Sequence, residues 1–485
     1  MVGPPRAARS PGTGTRTGSP RRSPTATQEF HSAVAGPGHR TSARTGNDVA
    51  VRGRPQRLLG GSVLVACLTA TVVTAPAGAA ERAVERAPGG TPGEVALEEA
   101  SFVDPTAQVR RPGLVELGER VYVGPFAQLV PGLRAGIAIG AESNVQDSVR
   151  VEAWVPRRSG EERALAAAGL RPRDGVRTGE RVILAHGSAV RGPARLGAGE
   201  ADPADSGVFI SFGALVDGAV LERDTGLSAL SRVGPGVVLR SGTLVLPGKD
   251  VRTQAEADDP ALGKVRPLVE ADRLFNAAVV EVNVGLAREY TRLAAEEPDA
   301  VHGINVDPGG NVFDVSRDAP TVESALCTGP EVREPRFRNR VIGDVCFEDD
   351  LRTLSQRMGS RISLRADEGG PFSVGTVRSM GNGTIFHALE GSDLSIGNRV
   401  TYGERVVVHG GGRPAVDPTT GVAAPTTIGN DVHLGDGSVV FRSLVRNDAV
   451  VGERSVVVGS ELAVGQVVPD RTVYANDEVF GPVEW

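Results

Sequence analysis

The chain has 485 residues, enough for two to four domains, and its net charge of −6 excludes a basic, nucleic-acid-binding body. Aromatic residues make up 4% and glycines number 63, which excludes a core built of large rings. Stacked aliphatics and frequent tight turns, as in a solenoid, suit this composition.

Residues 1–57 are rich in Arg, Ser, Thr, Gly and Pro. They carry too little apolar surface to order themselves, and read as a disordered tail or a start placed upstream of the true one. Residues 58–80 read as an export signal. Arg52, Arg54 and Arg57 form a basic flank, and Leu58 to Val73 an apolar stretch too short to span a membrane. Ala77-Gly78-Ala79 forms a small-residue cleavage site. Leu64-Val65-Ala66-Cys67 offers the alternative of a lipid anchor on Cys67. The expected location is therefore extracytoplasmic, secreted or in the cell envelope. In that compartment the remaining pair, Cys327 and Cys346, reads as a disulfide, with two free thiols as the alternative.

From Val103 an aliphatic residue recurs about every six positions, often followed by Gly: Val121-Tyr122-Val123-Gly124, Ile137-Ala138-Ile139-Gly140, and later Leu394-Ser395-Ile396-Gly397 and Thr427-Ile428-Gly429. Each short strand points one aliphatic inward and a turn redirects the chain. Three such sides close a triangular coil, and stacked coils make a β-helix. The fold class is thus an all-β solenoid of two tandem parallel β-helices, over 95–297 and 328–485, joined by a Pro- and Gly-containing linker at 298–327. Ala271 to Glu296 reads as a helix closing the first half, since Phe275, Val279, Val282, Leu286, Tyr290 and Leu293 recur at spacings of three and four. It is expected to pack back on the first β-helix.

Specific motifs punctuate the repeats. The first half carries Ser143-Asn144-Val145-Gln146-Asp147, Leu184-Ala185-His186, Thr253-Gln254-Ala255-Glu256-Ala257-Asp258 and Val282-Asn283-Val284. The second carries Arg365-Ala366-Asp367-Glu368-Gly369 and His387-Ala388-Leu389-Glu390. On these motifs both halves resemble the gamma-class carbonic anhydrases, left-handed hexapeptide-repeat β-helices that work as trimers with a zinc ion between neighbouring subunits. The resemblance implies histidines at 152, 186 and 191 in the first half and at 387, 404 and 409 in the second. The chain has Glu152, His186 and Arg191, then His387, Glu404 and His409. The losses are complementary. His387 and His409 match the pair given by one subunit, and His186 the single ligand given by its neighbour.

The other implied residues divide the same way. The proton-transfer glutamates match Glu368 and Glu390, which need to lie near solvent to carry a proton out. The orienting amides match Asn144, Gln146 and Asn283. An ion pair between halves is expected from Arg365 and Asp367 on one side and Asp147 on the other. Glu152 and Arg191 are expected to stack one coil apart, facing Glu404 of a neighbour, as a charge cluster where a metal once sat.

The resemblance therefore implies an exported zinc enzyme, with Fe2+ or Co2+ as alternative ions, that interconverts CO2 and bicarbonate at one composite site where the His186 face meets the His387/His409 face. Three neutral imidazoles leave zinc one open position, as catalysis requires. A homo-oligomer with three-fold or pseudo-three-fold packing of β-helices is implied too. Two other readings share the coil pattern: a hexapeptide-repeat acyltransferase, marked by acetyl-CoA binding without metal, and a non-catalytic binding or scaffold module, marked by absence of zinc.

Overall fold

A computed structural model describes residues 99–199, 207–296, 338–343, 345–368, 372–389, 394–411 and 424–485. The expected tail, export signal, linker, Cys67, Cys327 and Glu390 lie outside them. Cys346 is buried and disulfide-bonded.

Two parallel β-helices follow one another. The first has sheets of eight, seven and six strands, the second of eight, six and five. Most neighbouring strands in a sheet are three strands apart along the chain, so the backbone visits the three faces in turn; at the start of the second β-helix the neighbours Arg340–Ile342 and Ser363–Arg365 are two apart. Pairing is parallel throughout, except that Val265–Pro267 and Glu478–Pro482 cap the two eight-stranded sheets antiparallel. Each coil core is filled by inward apolar side chains, mostly aliphatic, among them Val145, Leu184, Val190, Leu196 and Ile210 in the first and Leu364, Val408 and Val440, with the ring of Phe386, in the second.

One sheet of each β-helix is apolar on both faces. In Val182–Leu184 the end residues point inward, while Ile183 between them joins a cluster that also holds Phe209, Phe212, Ile385, Val407, Val439, Phe441 and Val456. Strands covered on both faces lose the polar alternation of a half-exposed strand, so Val439-Val440-Phe441 and Val456-Val457-Val458 are unbroken apolar runs. The two eight-stranded sheets therefore face each other. Burial of each aromatic here contributes about 1.5–3 kcal/mol, so apolar contact between the solenoids is a main source of their cohesion.

Polar contacts set the register of this packing. Arg340 pairs with Asp104 at 3.0 Å, Arg365 with Asp147 at 2.9 Å, and Lys249 with Glu484 at 3.2 Å. Trp485 Nε1 donates to the Leu230 carbonyl at 2.6 Å. Early coils meet early coils and late meet late, so the solenoids run side by side in the same direction.

The helix spans Glu270–Glu296. Its buried residues include Asn276, Val280, Asn283, Leu286, Ala287 and Tyr290, with Phe275, Val279 and Val282 of the expected stripe packed partly buried beside them. It packs on the first β-helix, as expected, and on the second as well. Val280 joins the inter-solenoid cluster, and Leu286, Ala287 and Tyr290 cluster with Phe102, Tyr122 and Ile342. A helix covering a groove between two bodies needs a wider apolar stripe than one lying on a single face. Tyr290 also donates its hydroxyl to Asp367. Tyr290→Phe should lower stability by about 1.5–3 kcal/mol, the contribution of a hydrogen bond to a charged group. Denaturant unfolding with no shift in midpoint would remove that bond from the account.

Candidate metal centre

Two ladders of side chains build the site. In the first β-helix, Val145, Leu184 and Ile210 are register partners. The residues two places beyond them, Asp147, His186 and Phe212, accordingly stack at one corner. The chain turns there through Gly187 and Gly213, at φ +67° and +61°, a region open to glycine at little cost. In the second β-helix the strand ends Arg365, His387, His409 and Phe441 are successive register partners. Ion pair, imidazoles and aromatic rings then meet level by level across the junction.

At the lowest level the Arg365 guanidinium is fully buried between Asp147 and Asp367, the latter at 2.8 Å, and Ser363 donates to Asp147 at 2.6 Å. Burial opposes ionisation of Asp367 most strongly, but Arg365 and His387 together outweigh it and hold that carboxyl below its usual range. For Asp147 burial prevails over Arg365, and its pKa is raised.

One level up, the three histidines converge. They are almost wholly buried, and each offers a ligand atom within 4.8 Å of the others. His186 Nε2 lies 2.9 Å from His387 Nδ1. Burial, followed by the neighbouring His387, holds His186 and His409 well below the ordinary imidazole value. Burial pulls His387 down too, but the Glu368 carboxylate leads the opposing terms and its pKa rises to about 9. The tautomers of the two rings set which of these nitrogens donates in the contact between them. Glu368 Oε1 stands 3.3 Å from His387 Nε2, but both atoms lack a directed hydrogen bond, so this contact is charge against charge.

Phe212 roofs the cluster. Its ring stacks on His186 at 5.9 Å and meets His409 at 4.8 Å, while Phe441 meets His409 edge-on at 5.5 Å. Sequence reasoning missed Phe212. The signal was Val208-Phe209-Ile210-Ser211-Phe212-Gly213, which repeats the pattern of Val182-Ile183-Leu184-Ala185-His186-Gly187 one coil later.

The histidines fit a cation. Nitrogens around a tetrahedral ion with bonds of about 2.0–2.1 Å stand roughly 3.3 Å apart, and the observed range brackets that spacing. Each ring also has an oxygen near one nitrogen: Asp147 at 3.8 Å from His186 Nδ1, Glu368 at 3.3 Å from His387 Nε2, and the Gly410 carbonyl at 3.3 Å from His409 Nδ1. Such partners orient ligating imidazoles. Some buried polar atoms without partners belong to the expected site residues: His186 Nδ1, His387 Nε2, Glu368 Oε1, both amide atoms of Asn144, and Asn283 Oδ1. Native proteins leave few such groups, and those at this site mark a place for water or ligand.

The other expected residues separate into groups. Asn144, Gln146 and Asn283 are buried. Glu368 is only 3% exposed, which corrects the expectation of a carboxylate near solvent. It lies inside the charge cluster instead, 3.3 Å from His387 Nε2 and 4.0 Å from the Arg365 guanidinium. Glu152 and Arg191 are register partners at 3.9 Å, and Glu152 holds Arg150 more closely, at 2.7 Å. Glu404 is exposed and accepts from Asn382 at 3.0 Å.

No family model matches the chain. Among solved structures it resembles a hexapeptide transferase family protein from Anaplasma phagocytophilum (TM-score 0.19, 16% identity, 39% of this chain and 92% of that one). It also resembles a UDP-N-acetylglucosamine acyltransferase of Arabidopsis (TM-score 0.12, 10% identity, 79% and 74%). At such scores neither carries an argument about this chain. The carbonic anhydrase of Methanosarcina thermophila is 32% identical over 206 residues, 41% of this chain and 76% of that protein. With three converging histidines and parallel β-helices beside that identity, the chain belongs to the family of this carbonic anhydrase.

Proposed function

We propose that the chain is an exported, zinc-dependent carbonic anhydrase that interconverts CO2 plus water with bicarbonate plus a proton, at one site between its two left-handed β-helices. The observation that carries this reading is the convergence of His186 with His387 and His409. Removal over residues 58–80 and packing of several copies with three-fold symmetry are parts of the same proposal.

Zinc on three neutral imidazoles supplies a hydroxide nucleophile at neutral pH. The rest falls to this chain's residues. Asn144, fully buried with donor and acceptor both open, orients a small polar reactant. Phe212 and Phe441 exclude bulk water, which strengthens every charge interaction within. Glu368, beside His387 Nε2, holds a proton at the buried end of the path. Glu390, which the family resemblance pairs with Glu368, is the second proton-transfer residue of this proposal.

The test is reconstitution. The full chain, stripped by chelator, should take up one zinc per chain and regain CO2 hydration in proportion, followed by stopped-flow with a pH indicator. Hydration indifferent to stripping would end the proposal. The pH dependence follows from His387. Because its pKa is raised to about 9, it is protonated below that pH and must release the proton to ligate. Zinc affinity should therefore rise with pH up to about 9, by as much as about tenfold per unit, and weaken as pH falls. Calorimetry in buffers of different ionisation enthalpy should count the released proton; a flat profile contradicts this role for His387.

A further inference from the structure

Beyond the histidines, Phe441 is followed by Arg442, at the corner where the chain leaves the facing sheet. Its guanidinium lies between two aromatic rings, 4.9 Å from the Phe441 centroid and 5.5 Å from that of Phe275 on the helix. Among the described residues the Nε atom is buried without an acceptor and the side chain has no carboxylate partner. Burial alone lowers its pKa to about 10, with no carboxylate opposing. Gly411 leaves the room: at φ +114° it would place a Cβ 2.7 Å from the Arg442 Nε. Ring faces replace some of the water around a cation but accept no hydrogen bonds in its plane. The unpartnered Nε edge of this planar group matches an oxygen of a planar oxyanion.

The surroundings say which anion. On the lower side of the histidines stand Asp147, Asp367 and Glu368, with Arg365 already committed to the two aspartates. On the upper side Phe441 separates His409 from Arg442, and Arg442 is the cation felt there by His409. An anion formed among the imidazoles is repelled from the carboxylates and drawn toward Arg442. We infer that Arg442, walled by Phe275 and Phe441, is a binding site for bicarbonate on its way into or out of the histidine site. This rests on the carbonic anhydrase reading. It divides the traffic, with the proton leaving on the Glu368 side and the oxyanion on the Arg442 side.

The experiment uses the full chain, with and without added zinc. Phenylglyoxal modification of the peptide containing Arg442, followed by mass spectrometry, should slow at least tenfold in saturating bicarbonate and hardly at all in chloride of equal ionic strength. Calorimetric bicarbonate binding should weaken at least tenfold in Arg442→Gln and less in Arg442→Lys, which keeps the charge without the fork. Equal protection by chloride, or equal affinity in all three proteins, overturns the inference. If Arg442→Gln fails to fold, the modification experiment on the unaltered chain decides alone. Protection by bicarbonate in a chain that does not hydrate CO2 after zinc loading would refute the proposed activity and leave the anion site standing. Full hydration with no protection would do the reverse.

Discussion

Arg365→Met should destabilise the chain by about 3–5 kcal/mol, the cost of breaking a buried ion network by removing one partner. Asp147 and Asp367 would remain buried without the cation that lies 2.9 and 2.8 Å from them. Urea unfolding measures the loss, and a change below about 1 kcal/mol would show that the triad is not what it appears in the geometry. The triple variant Arg365→Met, Asp147→Asn, Asp367→Asn should recover much of it. A buried ion network adds little net stability over an apolar replacement, so its larger effect is on which packing is allowed. Here it ties the level just below the histidines, and a slip of one coil would set Arg365 away from Asp147. Arg365→Met should therefore also lower zinc occupancy, although Arg365 touches no ligand nitrogen.

His186→Ala should abolish zinc retention while the fold survives. Loss of a partner that only orients a ligand already costs about 10–100-fold in affinity, and loss of the ligand itself should exceed that. Zinc per chain, measured after dialysis, should fall from one to a small fraction, and CO2 hydration should fall with it. Near-native circular dichroism would separate this from unfolding. Zinc retained at full stoichiometry would mean that His387 and His409 find their third partner elsewhere, and the composite site would be wrong. The variant also leaves His387 Nδ1 without its hydrogen-bond partner 2.9 Å away.

Coil pattern, turn residues and candidate ligands were legible in the sequence because each is a local property. A strand end followed by Gly says how the backbone turns, and recurrence of that pattern says that coils stack. His387 and His409 could be placed one above the other for the same reason, and they are register partners. The buried sheet faces were legible too, but passed unread. Val182-Ile183-Leu184-Ala185 and Val439-Val440-Phe441 have no polar alternation, which a strand with one wet face would keep. The helix stripe is wider than the apolar spacing shows, because Asn276 and Asn283, polar in sequence, lie on its buried side beside Leu286 and Tyr290.

Composition and periodicity by themselves determined that this chain makes two aliphatic-filled β-helices, and the scattered motifs determined which side chains could serve a metal. Tertiary structure decided that one chain suffices to bring His186 to His387 and His409, that Glu368 is sealed from solvent, and that Phe212 closes the cluster. Periodicity records forces along a strand and between successive coils. Which level of one solenoid meets which level of the other depends on outward-facing apolar surface and a few buried charges separated by some two hundred residues, and that match exists only once the two bodies dock.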